Sequence, residues 1–373
     1  MRVALVSLLL AGCSLTVLLL PTSQARPDQS RSTSTTKAAA ATPSNGRLRF
    51  GIYPWGSVGC LNQCSPPVAE NATKALSAVK RLKGTRAFVA HIFAEYNGGS
   101  NASADGLVKE AAWWGSNGLK VAAVLRYRPQ STGSPAGYQD WVRTQARRLA
   151  ALPGTLSIQI ANEPTNPAAG AGDGSYPGVI EAIASAVPAA REEVVAAGRQ
   201  DILIGFNWDS GLPPATTEPF WSALKTAGGA AFTQAVGFVG VNIYPGTWTP
   251  PLSSKAPTTS QIWDVMYSTL HSLRHRHMVA AGVPQAAIII GETGYPTSAK
   301  RSAATQERML KTIIEAADRA RTAYGVTDLY GFGLRDARSA SGLMEDGYGV
   351  LRDDYTAKPA FNTLRSLIAQ IGA

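Results

Sequence analysis

The stretch Leu156-Ser157-Ile158-Gln159-Ile160-Ala161-Asn162-Glu163-Pro164 runs from a short, nearly continuous apolar strand straight into a carboxylate and a proline. A second stretch has the same form: Ala286-Ala287-Ile288-Ile289-Ile290-Gly291-Glu292-Thr293-Gly294-Tyr295-Pro296. Strands with apolar residues at nearly every position belong to sheets covered on both faces, which are mostly parallel. Working outward, six more runs share the pattern: 48–53, 86–93, 120–127, 201–206, 235–243 and 328–334. With 156–161 and 286–291 they make eight, their starts about 30 to 50 residues apart. Helical periodicity falls between them, at 68–82, 105–117, 138–152, 179–197, 259–281 and 303–324. Eight strand-and-helix units over residues 47–373 predict an α/β fold, a (β/α)8 barrel forming a single domain. An open doubly wound sheet would place a glycine-rich turn after the first strand, and Tyr53-Pro54-Trp55-Gly56-Ser57 is no such turn.

The whole chain of 373 residues is 45% hydrophobic and 16% charged, which excludes a fully disordered or fibrous protein. Three cysteines are too few for a disulfide scaffold, and no Cys/His spacing forms a paired zinc motif. The first 25 residues have the charged start, apolar run and small-residue end of a secretory signal peptide, with cleavage after Ala25. The alternative is a lipobox at Leu10-Ala11-Gly12-Cys13, giving a membrane-anchored lipoprotein acylated at Cys13; membrane association is expected only in that case. Residues 26–46 are rich in Ser, Thr, Ala and Pro and read as a flexible tether. In an oxidising compartment Cys60 and Cys64 are expected to close a small disulfide loop. The formal charge of +10, or +9 once Arg2 is removed with the leader, suits acidic polymers and equally a solvated basic surface. No basic run interleaved with aromatics is present, so a nucleic-acid partner is not expected, and neither is a cofactor.

In such a barrel the working residues stand at the C-terminal ends of the strands. Glu163 follows the fourth run and Glu292 the seventh, which lie across the mouth from one another. A charge after an apolar strand is costly unless paired or used. Two carboxylates facing one gap are what cleavage of a glycosidic bond requires: one protonates the departing oxygen and the other attacks or activates water. Asn162-Glu163-Pro164 resembles the Asn-Glu-Pro motif of the clan A retaining glycoside hydrolases. Gly291-Glu292-Thr293-Gly294-Tyr295-Pro296 and Asn242-Ile243-Tyr244-Pro245 are similar to segments of the family 17 β-glucanases. Tyr348-Gly349-Val350-Leu351 with Lys358-Pro359-Ala360-Phe361 resembles the closing segment of several clan members.

That resemblance implies a secreted retaining enzyme acting on a polysaccharide or oligosaccharide, with Glu163 as acid/base and Glu292 as nucleophile. It also implies that Asn162 contacts a sugar 2-hydroxyl and that Tyr244 donates to Glu292. The other readings are a carbohydrate-binding barrel without catalysis, and a transglycosylase using the same pair. Aromatic candidates for sugar contact are Tyr53, Trp55, Trp208, Tyr244, Trp248 and Tyr295, whereas Trp113 and Trp114 read as helix packing. Asn207 and Asp209 serve either sugar hydroxyls or, for Asp209, the cap of the next helix. Arg126 and Arg128 follow the third strand and hold acidic groups in the cleft or a local carboxylate. His91 reads as a core imidazole, and His271 and His275 as part of a basic helix face. Where clan members commonly carry a tryptophan at the end of the eighth strand, this chain has Gly331-Phe332-Gly333-Leu334-Arg335-Asp336, and Arg335 beside Asp336 is a candidate for reading an anionic or unusual ring.

Overall fold

The computed structural model describes residues 46–56, 63–130, 133–168, 170–250 and 256–373. The leader, the tether up to residue 45, Cys13 and Cys60 lie outside the described residues, and with Cys60 the expected Cys60–Cys64 bridge. Among the described residues eight parallel strands close a barrel in sequence order. They are β1 (Arg49–Ile52), β2 (Phe88–Tyr96), β3 (Lys120–Tyr127), β4 (Thr155–Ile160), β5 (Leu203–Asp209), β6 (Phe238–Asn242), β7 (Ala287–Thr293) and β8 (Val326–Gly331). The fold is therefore the (β/α)8 barrel. The eighth strand begins and ends earlier than its apolar run, so Leu334 and Arg335 belong to the loop beyond it.

The outer ring comprises α1 (Ala72–Lys83), α2 (Ala102–Ser116), α3 (Pro135–Ala150), α4 (Val179–Ala196), α5 (Pro214–Ala235), α6 (Thr259–Ser272), α7 (Met278–Ala280), α8 (Ala303–Tyr324) and α9 (Pro359–Ile371). A π-helical turn, Leu273–His277, joins α6 to α7. Two helices escape the sequence reading. In α5, Pro214, Pro219 and Gly229 obscure the helical period, and Gly229 does break it, with φ at 54°. In α9 the N-cap Lys358 and the first residue Pro359 carry loop chemistry, and the helix packs between α8 and α1. Four helices, α1, α3, α6 and α8, are capped locally: Asn71, Ser134, Thr258 and Ser302 each accept a backbone N–H of the turn they open.

Two apolar layers hold the barrel. A large cluster fills the space between strands and helices, and a smaller inner one is built from Val89, Ala122, Leu203, Phe238, Ala287, Ile289 and Tyr330. The inner layer closes the lower barrel, where Arg49 grips Asp328 through two bonds of 2.6 and 2.9 Å. His91 sits above it between Phe93 and Tyr330, and burial drives its imidazole down to about 3, so it stays neutral as a core residue. Above this filled base, polar side chains converge at the upper mouth of the barrel.

Candidate active site

A cavity of about 420 Å³ opens at the C-terminal ends of the strands, within the usual range for small-ligand sites. Glu163 and Glu292 both line it, as do Asn162, Tyr53, Tyr244 and Trp248. The two glutamates reach it differently. Glu292 is the penultimate residue of β7, in register with Asn242 on β6, and is buried. Glu163 stands just past β4 with φ at 49°, and Ala161 before it has φ at 62°. Left-handed conformations are costly for residues with a Cβ and persist only where the surroundings over-determine them. Here three successive N–H groups are held. Ala161 donates to Leu125 O and Tyr138 Oη, Asn162 to Asp173 Oδ2 at 2.7 Å, and Glu163 to Asn207 Oδ1 at 2.7 Å. Gly172 completes the clamp, because a Cβ there would fall against the Glu163 carbonyl oxygen and the Asn166 Cβ.

Beneath the glutamates lies a buried amide network. Gln159 Nε2 donates to Asn162 Oδ1 at 3.3 Å, and Asn207 Nδ2 donates to Asn162 Oδ1 at 3.0 Å and to Asn242 Oδ1 at 3.3 Å. With its oxygen engaged in this way, Asn242 must present its NH2 upward, and it donates to Glu163 Oε1 at 2.8 Å. The same amide favours the charged form of Glu292. Tyr244 Oη donates to Glu292 Oε2 at 2.8 Å, so the hydrogen bond expected from the sequence is present. The carboxyls thus flank one shared amide group.

Burial first, and then the Glu163 carboxyl, push Glu292 up to about 8, against the opposing effects of Tyr244, Arg126 and Asn242. Glu292 therefore holds its proton to higher pH than a free carboxyl does. Asp209, at the end of β5, also lines the cavity; burial and Glu163 push it up to about 7. It accepts from Gly211 N at 2.8 Å and from Asn166 Nδ2 at 3.0 Å, so it holds its own loop and not the start of α5, which Pro213 caps without a side-chain bond. Arg126 is bound by Asp173 and the Ala171 carbonyl, and Arg128 pairs with Glu95 at 2.7 Å on the rim.

The aromatic lining differs from the expectation at three positions. Trp55 turns outward, donating Nε1 to Glu110 at 2.7 Å and packing on Trp114. Trp208 is buried behind the sheet against Trp221 and His277, because its side chain takes the outward direction between Asn207 and Asp209. Tyr295 is buried under the Arg301 guanidinium, 4.8 Å from its ring. None of the three reaches the cavity wall. Phe93, Phe332 and Tyr348 do, and none of these was among the candidates. Phe332 stacks on Tyr53 at 4.9 Å and 14°, and meets Tyr348 edge to face, so the cavity has a flat apolar floor. Period-two counting from His91 would have found Phe93, whereas Tyr348 comes from a distant loop with no local signal. Arg335 is fully buried away from the cavity, bonded to Glu70 at 2.7 Å and to the Val68 carbonyl, and Asp336 pairs with Lys358 at 2.7 Å. The reading of these two as a sensor of an anionic ring is therefore withdrawn. His271 and His275 pack with Tyr324, and no metal-holding group occurs among the described residues.

No family model and no curated protein matches the sequence. Solved structures do resemble the fold. A β-D-glucuronidase of Dictyoglomus thermophilum is 16% identical with a TM-score of 0.52, covering 80% of this chain and 46% of its own. Fungal β-1,4-galactanase is 14% identical with a TM-score of 0.56 over 86% and 99%. GH5_18 of Streptomyces cattleya, in complex with Manβ1-4GlcNAc, is 16% identical with a TM-score of 0.57 over 87% and 80%. The chain spans about half the length of the β-glucuronidases it matches. At these identities the likeness establishes the barrel.

Proposed function

We propose that this chain is a retaining glycoside hydrolase cleaving β-linked sugars by double displacement. The observation that carries this reading is the pair of glutamates in one cavity, Glu163 held by the Asn242 amide and Glu292 by the Tyr244 hydroxyl. Glu163 protonates the departing glycosidic oxygen while the Glu292 carboxylate attacks the anomeric carbon, forming a glycosyl-enzyme. Glu163 then takes a proton from water, which displaces Glu292, so the configuration is retained. The oxocarbenium-like charge developing at the anomeric carbon stabilises ionised Glu292, and Tyr244 aims it. The floor of Tyr53 and Phe332, with Trp248 on the wall, suits the apolar face of a pyranose ring.

The segments resembling family 17 make linear β-1,3-glucan the first substrate to test. The leader pattern supports export with cleavage after Ala25; lipid on Cys13 of the native protein would replace free secretion by anchoring. Purified protein incubated with a panel of β-linked polysaccharides is expected to release reducing ends, with the β-anomer appearing first by proton NMR. First appearance of the α-anomer would sink double displacement. Sugar binding without turnover would favour the binding barrel. Chain lengthening with an added acceptor, in place of new reducing ends, would favour the transglycosylase.

A further inference from the structure

The two glutamates account for the chemistry, yet the mouth holds a third buried carboxyl whose placement neither role requires. Asp209 is 9% exposed and ends β5, in register with Asn242 on β6, which is in turn in register with Glu292 on β7. The Asn166 amide nitrogen lies 3.0 Å from Asp209 Oδ2 and 3.5 Å from Glu163 Oε2. Asn242 reaches Glu163 from the other side. Round the rim the order is Glu163 after β4, Asp209 on β5, Asn242 on β6 and Glu292 on β7, and the Glu163 carboxylate takes an asparagine amide on each oxygen, Asn242 on Oε1 and Asn166 on Oε2. We propose that Asp209 is a positioning residue for the acid/base step: it anchors the Asn166 amide that touches Glu163 and sets a third carboxyl beside that acid.

This rests on the hydrolase reading above. Burial, and then the neighbouring Glu163 carboxyl, disfavour the charged form of Asp209. The other charged groups round the cavity stand on different staves. Glu292 is on β7, Arg126 on β3 with Arg128 just beyond it, Glu95 on β2, and Glu345 on the loop after β8. Arg126 and Arg128 are committed to Asp173 and Glu95. Tyr244 is committed to Glu292. Asp209 is thus the carboxyl that the Asn166 amide ties to the acid/base.

The test compares kcat/KM for two β-glycosides of one sugar, a 2,4-dinitrophenyl glycoside that departs without a proton and an alkyl glycoside that needs one. In Asp209→Asn the alkyl glycoside is expected to lose about tenfold or more while the dinitrophenyl glycoside stays within about twofold. Asn166→Ala, which leaves Asp209 in place, is expected to show the same dependence on leaving group; it carries the test if Asp209→Asn does not fold. Equal losses on both glycosides overturn the proposal while leaving the hydrolase intact. A wild-type chain inactive on both glycosides overturns the hydrolase reading and the proposal with it.

Discussion

At the end of β4 the backbone turns through two left-handed residues, and Glu163 is fixed chiefly by amides from β5 and β6. At the end of β7 the chain stays extended through Thr293, and Glu292 is buried with one tyrosine hydroxyl on its carboxylate. The first station is held by its backbone and neighbouring strands, the second by its place in the sheet. Under the proposed function the contrast fits two chemical tasks. An acid/base must meet leaving group and water in turn, so it stands partly exposed and is aimed from several sides. A nucleophile needs one fixed direction, and a strand end within the ladder supplies it.

Removing the second station is expected to have the largest effect: Glu292→Gln lowers kcat by about 10⁴-fold or more, with sugar binding retained by calorimetry. Glu163→Gln should cost about 10²- to 10⁴-fold on polysaccharide and much less on a dinitrophenyl glycoside, a difference that Glu292→Gln does not show. If both variants lose activity equally on both substrates, the division of roles fails. Tyr244→Phe removes the single hydroxyl on Glu292 and is expected to lower kcat/KM by about 10- to 100-fold, as befits a hydrogen bond to a charged group. Gly172→Ala attacks the first station through its backbone. Its Cβ needs the space of the Glu163 carbonyl, so a stability loss of about 1–3 kcal/mol by denaturant unfolding is expected, with reduced kcat.

The smallest effect concerns pH. Glu292 and Asp209 are both raised in the folded state, to about 8 and about 7. A raised carboxyl binds more protons folded than unfolded, so its contribution to stability is full below the unfolded value near 4 and is lost as pH rises through the folded value. Glu292→Gln should therefore melt higher than wild type at pH 8, by roughly 2 to 4 °C per kcal/mol relieved, with the gap closing by pH 4. Equal melting differences at both pH values would show that Glu292 is not held at a cost.

Much of the β7 station was legible in the sequence, because β7, its glutamate and Tyr244 each carry a local pattern. The β4 station was legible only in part. Asn-Glu-Pro marks Glu163, but Asp173 and Gly172, which hold its backbone, lie in a loop without periodicity, and Asn242 acquires its role only when β6 is laid beside β4 and β7. The aromatic candidates failed for a related reason. Trp55, Trp208 and Tyr295 follow strands as Tyr53 and Tyr244 do, but proximity to a strand end does not say which side of the sheet a ring takes.

The amino-acid sequence by itself determined the barrel and the two glutamates. Apolar runs of strand length, repeated eight times, leave few ways to be buried, and a carboxylate directly after such a run is too costly to be accidental. Only the tertiary structure decided which aromatic rings face the cavity, that Arg335 and Asp336 turn away from it, and that Asp209 stands next to Glu163. Those outcomes depend on strand register and on loops meeting across long sequence separations, where side-chain direction is set by packing and not by local pattern.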